Sequence, residues 1–441
     1  MYINKFITTL VLITVCLLIL TSPTTAEQFN FLRGKWEGSI FLADSSIKIE
    51  VYFENTNDKK QGIVNVPALE VINQPLKINK INNSKITFVI NNKSTDMLFE
   101  GNFSSNKIKG TFSQKGKNEY NFVLKRDSNN NKQVELKGSE QQIKIPVKGG
   151  DLEAILTYPQ VHNISDPVAI IIAGSGPTDR NGNSPLVDYQ INNLKYISYF
   201  LANNGIISIR YDKRGVGESK NLVDNKTPTF TQYKDDILQV IDYVNNNLGR
   251  KNPQIFLVGH SEGSTLAIMA AQNMDKLGGI VLLSSPGFKQ EVLLKRQLKR
   301  QNEILYNQGR IQEKNLLVRT LDELIKAIEQ DNKFSLSEYN IPDNYKSIYK
   351  SLNNQRDFSK EWLKTSPAKI LKTLDLPTCI VQGGDDQQIK KENAERLSSV
   401  VSKDNLSLNY IKGVNHLLLE DNNKISEEVL KTITEFIKKY K

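Results

Sequence analysis

Gly259-His260-Ser261-Glu262-Gly263 constrains this chain more than any other stretch. It has the form G-x-S-x-G. An apolar run of β type, Ile255-Phe256-Leu257-Val258, precedes it. A run of small and apolar residues, Ser264-Thr265-Leu266-Ala267-Ile268-Met269-Ala270-Ala271, follows it. A strand, a sharp turn and a helix form the context that makes G-x-S-x-G a nucleophile elbow. The turn needs flanking glycines, because a Cβ there would meet neighbouring backbone. The bent backbone lifts the Ser261 hydroxyl out at the carboxyl end of a sheet. The helix behind it aims its first N–H groups at any negative charge formed nearby.

Around this elbow, strand-like and helix-like runs alternate. Strands are expected at 168–173, 206–211, 255–259, 279–283, 378–382 and 406–411. Helices are expected at 190–203, 233–247, 264–276, 392–401 and 425–439. Such alternation predicts an α/β fold, a doubly wound and mostly parallel sheet. Segments 142–147 and 152–158, around Gly149-Gly150, read as a hairpin in front of it. About 90 residues separate Leu283 from Thr378 and break the rhythm. There Leu293, Leu294, Leu298, Ile304 and Leu305 fall on a helical period with Lys and Arg between them, and Pro342 interrupts the run. An insertion at this point would lie over the elbow as a helical cap, at about 287–370. A membrane-seeking helix is the other reading of its basic, amphipathic pattern.

The first third is different. Short alternating runs at 47–53, 86–90, 97–103, 108–112 and 120–124 are separated by clusters of Asn, Asp, Lys, Ser and Gly. This predicts a small all-β sandwich or barrel with Trp36 in its core. Asp127-Ser128-Asn129-Asn130-Asn131-Lys132-Gln133 is a polar linker. At the very start, Lys5 precedes an apolar run at 6–20, too short for the roughly 20 residues that span a bilayer. Thr24 and Ala26 suit cleavage before Glu27, so the segment reads as an export signal. The expected organisation is a signal peptide at 1–26, a β-rich domain at 27–126, a linker at 127–140 and an α/β domain at 141–441. Cleavage would remove Cys16 and leave Cys379 without an intramolecular partner, in an apolar strand.

A serine hydroxyl needs a base within hydrogen-bond reach, and the base needs a carboxylate to hold its tautomer. The chain has three histidines. His162 precedes the parallel core, and His260 sits inside the elbow, turned away from Ser261. His416 remains, directly after the last expected strand. The carboxylate should follow the strand before that, in Gln382-Gly383-Gly384-Asp385-Asp386-Gln387-Gln388-Ile389, where Asp385 or Asp386 could serve. The chain order Ser, Asp, His is that of the α/β-hydrolases. Negative charge on a reacting carbonyl oxygen needs two N–H donors. The N–H of Glu262 is one candidate. Ser175 and Gly176, in the loop Gly174-Ser175-Gly176-Pro177 after the strand at 168–173, supply the other.

Four stretches carry a resemblance: Gly174-Ser175-Gly176-Pro177-Thr178-Asp179-Arg180, Arg210-Tyr211-Asp212-Lys213-Arg214-Gly215-Val216-Gly217-Glu218-Ser219, the elbow, and Asn415-His416. Together they resemble the EstD-like esterases of the α/β-hydrolase superfamily, over nearly all of the mature chain. Gly34-Lys35-Trp36-Glu37-Gly38 and Gly110-Thr111-Phe112-Ser113-Gln114 resemble the G-x-W-x-G and G-T-x-x-Q of the β-rich accessory domain in such exported bacterial esterases. The family's G-x-x-D-x-Q-V pattern is met by Gly383, Asp386, Gln388 and Ile389, which implies Asp386 as the acid. The loop 212–219 reads as an architectural turn, with substrate contact by Arg214 or Glu218 as the other reading.

The expected activity is that of an exported serine carboxylesterase, periplasmic or extracellular, cleaving small to medium acyl esters through an acyl-enzyme on Ser261. This chemistry calls for no metal and no organic cofactor. A serine aminopeptidase or acyl-peptidase would use the same groups, as would a thioesterase or acyltransferase. In another reading, the β-rich domain binds cell wall or lipid and the hydrolase domain is idle. The formal charge of +10 is spread without an Arg-rich, aromatic-interleaved stripe, so no nucleic-acid partner is expected. A basic surface would still favour peripheral contact with anionic membranes or cell wall.

Overall fold

The computed structural model describes Leu32, residues 34–126 apart from 43–45, 57–58, 67, 69–70, 83, 93–94, 105 and 115–116, and residues 134–441 apart from 186–189, 223–227, 250–252, 308 and 421–423. The expected export signal and the polar linker at 127–133 lie outside the described residues. The chain divides into two compact units, one holding the β-rich region and the other Val134–Leu419 with Ile425–Lys441.

In the β-rich unit, eight antiparallel strands form a closed barrel. They are β1 (Gly34–Phe41), β2 (Ser46–Thr56), β3 (Lys59–Val66), β4 (Val71–Asn82), β5 (Lys85–Asn92), β6 (Thr95–Phe103), β7 (Lys107–Gln114) and β8 (Lys117–Arg126). β1 pairs with both β2 and β8, which leaves the sheet no free edge. Alternate side chains point inward and fill the interior, among them Trp36, Phe53, Phe88, Phe99 and Phe122. Phe88 stacks on Phe99 at 4.7 Å, and Phe122 meets Phe99 edge-on at 5.3 Å. Gly38 lets β1 approach β8 closely, since a Cβ there would stand 1.8 Å from the Val123 carbonyl oxygen. The sequence runs locate five of these strands and miss β1, β3 and β4. β3 keeps its alternation but opens on Lys59, Lys60 and Gln61, whereas both register shifts, opposite Val64–Val66 and at Ile78–Lys80, put the extra residue in β4 and break its period-two pattern. Pro75 and a high lysine content obscure it further.

The second unit has an eight-stranded sheet, in the spatial order β16-β15-β14-β13-β11-β12-β10-β9. The hairpin β9 (Ser139–Val147) and β10 (Gly150–Tyr158) is antiparallel and edges the sheet. Six strands run parallel: β11 (Val168–Ile172), β12 (Ile207–Tyr211), β13 (Ile255–His260), β14 (Gly279–Leu283), β15 (Thr378–Gly383) and β16 (Leu406–Ile411). Both faces of the central strands are buried, and their side chains divide by alternation. Phe256, Val258, Val281 and Cys379 pack against α1 (Asn193–Asn203) and the C-terminal helix at Glu427–Lys439. Leu257, Ile280 and Ile380 pack on the other side against α2 (Phe230–Asn247) and α3 (Glu262–Ala271). α2 starts three residues earlier than its apolar period suggests. Thr229 Oγ accepts from Gln232 N–H, and Gln232 Oε1 accepts from Thr229 N–H, a reciprocal cap.

Among the described residues between β14 and β15 there are five α-helices: α4 (Gln290–Asn307), α5 (Leu316–Glu329), α6 (Asp343–Asn354), α7 (Arg356–Lys364) and α8 (Pro367–Leu371). Their apolar sides join the core on the α2 and α3 side, through Leu298, Leu321, Tyr349 and Trp362. Phe358 of α7 meets Phe230 of α2 edge-on at 5.6 Å. α4 is therefore a packed cap helix. Ile304 departs from the expected stripe and is 43% exposed. After β15 come the α-helices α9 (Glu392–Ser398) and α10 (Glu427–Lys439).

Candidate active site

The elbow forms as its glycines require. Ser261 sits at φ 53° and ψ −121°, between the end of β13 and the start of α3. A Cβ on Gly259 would lie 2.5 Å from the Gly263 carbonyl oxygen, and one on Gly263 would lie 2.4 Å from that of Ile172. Strand, helix and the neighbouring β11 can meet this closely only through glycine. The N–H of Ser261 donates to the Leu283 carbonyl at 2.8 Å, which ties the turn to β14.

His416 reaches Ser261 from the loop after β16. Its Nε2 stands 3.2 Å from Ser261 Oγ, and its Nδ1 stands 2.9 Å from Asp386 Oδ2. The other oxygen of Asp386 accepts the N–H groups of Gln388 and Ile389, each at 2.8 Å. Asp385 is exposed, whereas Asp386 is buried. Burial opposes the charge on Asp386, but the facing imidazole and the two N–H donors outweigh it. The carboxyl is held below the usual carboxylate range. Gln382 Nε2 lies 3.4 Å from Asp386 Oδ2 and donates to the Ile389 carbonyl at 2.8 Å, bracing the same loop.

The His416 loop is held by further bonds. Asn415 Oδ1 accepts from Leu417 N–H at 2.9 Å and from Leu419 N–H at 3.1 Å. His260 Nε2 lies 2.8 Å from the His416 carbonyl oxygen. A carbonyl only accepts, so His260 carries its proton on Nε2. Burial, with His416 close by, pushes His260 down to about 4.

Facing the elbow is the loop after β11. Gly174 stands against Ser261, since a Cβ there would lie 3.4 Å from Ser261 Cβ and 3.2 Å from His260 Nδ1. Among the described residues, no acceptor takes the N–H of Ser175 or that of Glu262. The rest of the loop is anchored. Asp179 Oδ1 accepts from Asn181 and Asn183 N–H at 2.8 Å, and Arg180 N–H donates to Asp212 Oδ1 at 2.7 Å. Arg180 also pairs with Glu218. Arg214 forks onto Asp236, with Nε 2.7 Å from Oδ2. Glu218 and Arg214 are thus engaged with other protein groups, in keeping with an architectural role for loop 212–219.

Lys213, in that same loop, is buried, and its ammonium donates to the Gly174 carbonyl. Burial pushes it down to about 8, opposed by the charge of Glu262. Sequence reading missed this contact. The one available signal was position, since β12 and β11 are neighbours whose carboxyl ends adjoin. Among the described residues, no cluster of three or more His, Cys, Asp or Glu is placed to hold a metal ion.

The site thus places a hydroxyl, an imidazole and a buried carboxylate in one hydrogen-bonded line. Two N–H groups without acceptors among the described residues flank it, beneath a helical cap. Residues 190–423 match the serine aminopeptidase family S33. The chain is 25% identical to Esterase EstD of Thermotoga maritima over 339 residues, covering 76% of this chain and 70% of that protein. It is 23% identical to a monoglyceride lipase homolog of Monkeypox virus over 286 residues, 62% of this chain and 91% of that protein. Among solved structures, the ferulic-acid complex of Est1E from Butyrivibrio proteoclasticus aligns with a TM-score of 0.43 at 19% identity, over 68% of this chain and 97% of that one. The chain is an α/β-hydrolase and belongs to the serine aminopeptidase S33 family.

Proposed function

We propose that the protein is a serine carboxylesterase of small to medium acyl esters, working outside the cytoplasm. The observation that carries this reading is the continuous line from Ser261 Oγ through His416 to Asp386. Ser261 Oγ attacks the ester carbonyl while His416 Nε2 takes its proton. Charge on the former carbonyl oxygen is met by the N–H of Glu262 and by the Ser175–Gly176 loop. His416 then gives its proton to the departing alcohol, leaving an acyl group on Ser261. Water, deprotonated by His416, releases the acid. Asp386 keeps the imidazole in the tautomer with Nε2 free to accept and stabilises it when charged. Each step uses groups of this chain, the ester and water.

The relatives named as esterase and lipase homolog support an ester substrate. The family's description as serine aminopeptidase favours a second reading, cleavage of an amide at a free amino end, which the same groups could perform. The export pattern at 1–26 supports a periplasmic or extracellular site of action. The net charge of +10 supports peripheral contact with membrane or cell wall.

The test is turnover of p-nitrophenyl esters from acetate to palmitate by the protein and by Ser261→Ala, with an aminoacyl-p-nitroanilide in parallel. Ester cleavage that vanishes in the variant supports the proposal. Amide cleavage without ester cleavage favours the peptidase reading, and full activity of Ser261→Ala overturns the mechanism.

A further inference from the structure

We infer that Lys213 is a positioning residue of the oxyanion hole, setting the direction of the Ser175 N–H through its bond to the Gly174 carbonyl. This rests on the reading of the site as one of acyl transfer and extends it to a residue outside the Ser261–His416–Asp386 line.

The argument begins with the peptide plane. The Gly174 carbonyl and the Ser175 N–H belong to one planar, trans amide and point in opposite directions. A donor that grips the carbonyl therefore fixes where the N–H aims, away from Lys213. Gly174 stands directly against Ser261, so this amide borders the reacting centre. The grip comes from a buried ammonium, itself only 4% exposed. A charged donor on a carbonyl also polarises the amide, which strengthens the N–H at its far end.

The second donor is coupled to the first. The charge opposing Lys213 is Glu262, and the backbone N–H of Glu262 is the other candidate donor. Glu262 is buried at the start of α3, where burial raises its carboxyl and Lys213 counters that rise. One lysine thus fixes the Ser175 amide and balances the carboxylate of the residue that carries the partner N–H. The groups facing this pair come from several elements. Tyr233 of α2 lies under the ammonium at 5.8 Å, Trp362 of the cap helix α7 stands beside Glu262, and Asp236 and Arg214 lie beyond Tyr233. Burial pushes Tyr233 far above the working range, which leaves Lys213 and Glu262 as the titrating members.

A hole whose donor is misaimed stabilises the transition state less but binds the ground-state ester as before. The experiment compares the full-length protein with Lys213→Met and Lys213→Arg. Two rates are read: kcat and KM for p-nitrophenyl butyrate, and attack of Ser261 on a fluorophosphonate. In the second reaction an O–P bond forms and fluoride leaves, so it needs the nucleophile and hole without a natural substrate. Lys213→Met is expected to lose about 10- to 100-fold in kcat and in phosphonylation, with KM within about twofold. Lys213→Arg is expected to recover most of both. In the wild type both rates fall above pH about 8 as the ammonium loses its proton, and in Lys213→Arg that fall is absent.

Wild-type kcat and phosphonylation in folded Lys213→Met would overturn the proposal. So would an unchanged alkaline fall in Lys213→Arg, the comparison that decides if Lys213→Met does not fold. A wild type that takes the phosphonate but cleaves no ester would sink the esterase reading, while the phosphonylation rates still decide for Lys213. Inertness of wild-type Ser261 towards both would overturn both.

Discussion

His260 donates from Nε2 to the main-chain carbonyl of His416 at 2.8 Å, so the residue before the elbow serine holds the backbone of the residue that faces it. Replacing His260 by Phe keeps a ring in the space and removes the donor. The His416 carbonyl then stays buried without this partner, at a cost of about 1–3 kcal/mol. With His416 less well held, kcat is expected to fall about 10- to 100-fold with little change in KM, in steady-state ester hydrolysis.

The same contact makes a pH prediction. His260 is held at about 4 by burial, against an ordinary 6.5. Between those values the unfolded chain takes a proton at this position and the folded chain does not. Stability therefore falls as pH drops from about 6.5 to about 4, and this contribution is constant above 6.5. The gap corresponds to roughly 3 kcal/mol. Asp386, with its carboxyl held below the usual range, adds a loss in the same direction at lower pH. Thermal unfolding across this range is expected to be shallower in His260→Phe than in the wild type. Parallel curves would refute the assignment.

Asp386 and Asp385 are adjacent in sequence and opposite in environment. Only Asp386 faces His416, with its second oxygen fixed by two backbone N–H groups. Asp386→Asn would donate towards Nδ1 and favour the wrong tautomer, so kcat is expected to drop by about 10⁴-fold. Asp385→Asn is expected to leave kcat near the wild-type value. Equal effects of the two substitutions would contradict this division.

The elbow, the His416 loop and the Asp386 loop were legible because each follows a strand whose apolar run stands out locally. Ser261, Asp386 and His416 lie far apart in the chain, yet parallel strands bring their carboxyl ends together, and that follows from fold class alone. The contacts that brace the site were not legible. His260 and His416 are 156 residues apart, and Lys213 and Gly174 are 39 apart. No periodicity records a side chain bonding to a distant carbonyl. In the barrel, β4 escaped because bulges displace its inward positions by one residue, β3 because its polar opening, Lys59-Lys60-Gln61-Gly62, leaves only a short alternating run, and β1 because Gly34, Lys35, Glu37 and Gly38 surround Trp36. The closing of β1 on β8 chose a barrel over a sandwich, and a pairing between the first and last strands leaves no mark in either.

Arg214 and Asp236 form a buried, forked ion pair, with side-chain exposures of 8% and 3%. Asp236→Asn would leave the guanidinium in a buried site without its counter-charge. Removing one partner of such a pair costs about 3–5 kcal/mol. Urea unfolding should show a midpoint lowered accordingly, while KM for the ester in the remaining folded protein stays within about twofold. A rise in KM without loss of stability would instead mean that Arg214 reaches the substrate.

Trp36 offers a test confined to the barrel. Its ring is fully buried among Phe and Ile side chains, its Nε1 donates to the Leu32 carbonyl at 2.7 Å, and the Arg126 guanidinium lies 4.6 Å from the ring centre. Trp36→Ala removes the largest side chain of a closed interior, and a barrel has no neighbouring layer that can collapse into the space. The expected cost is about 3–5 kcal/mol. Because the two units have separate cores, this loss should appear as a lowered transition for the barrel alone in calorimetry, with the transition of the α/β unit unmoved. Ester turnover by Ser261 should persist at temperatures between the two transitions. A single transition that moves as a whole, with activity lost alongside it, would show instead that the barrel and the hydrolase unit unfold as one.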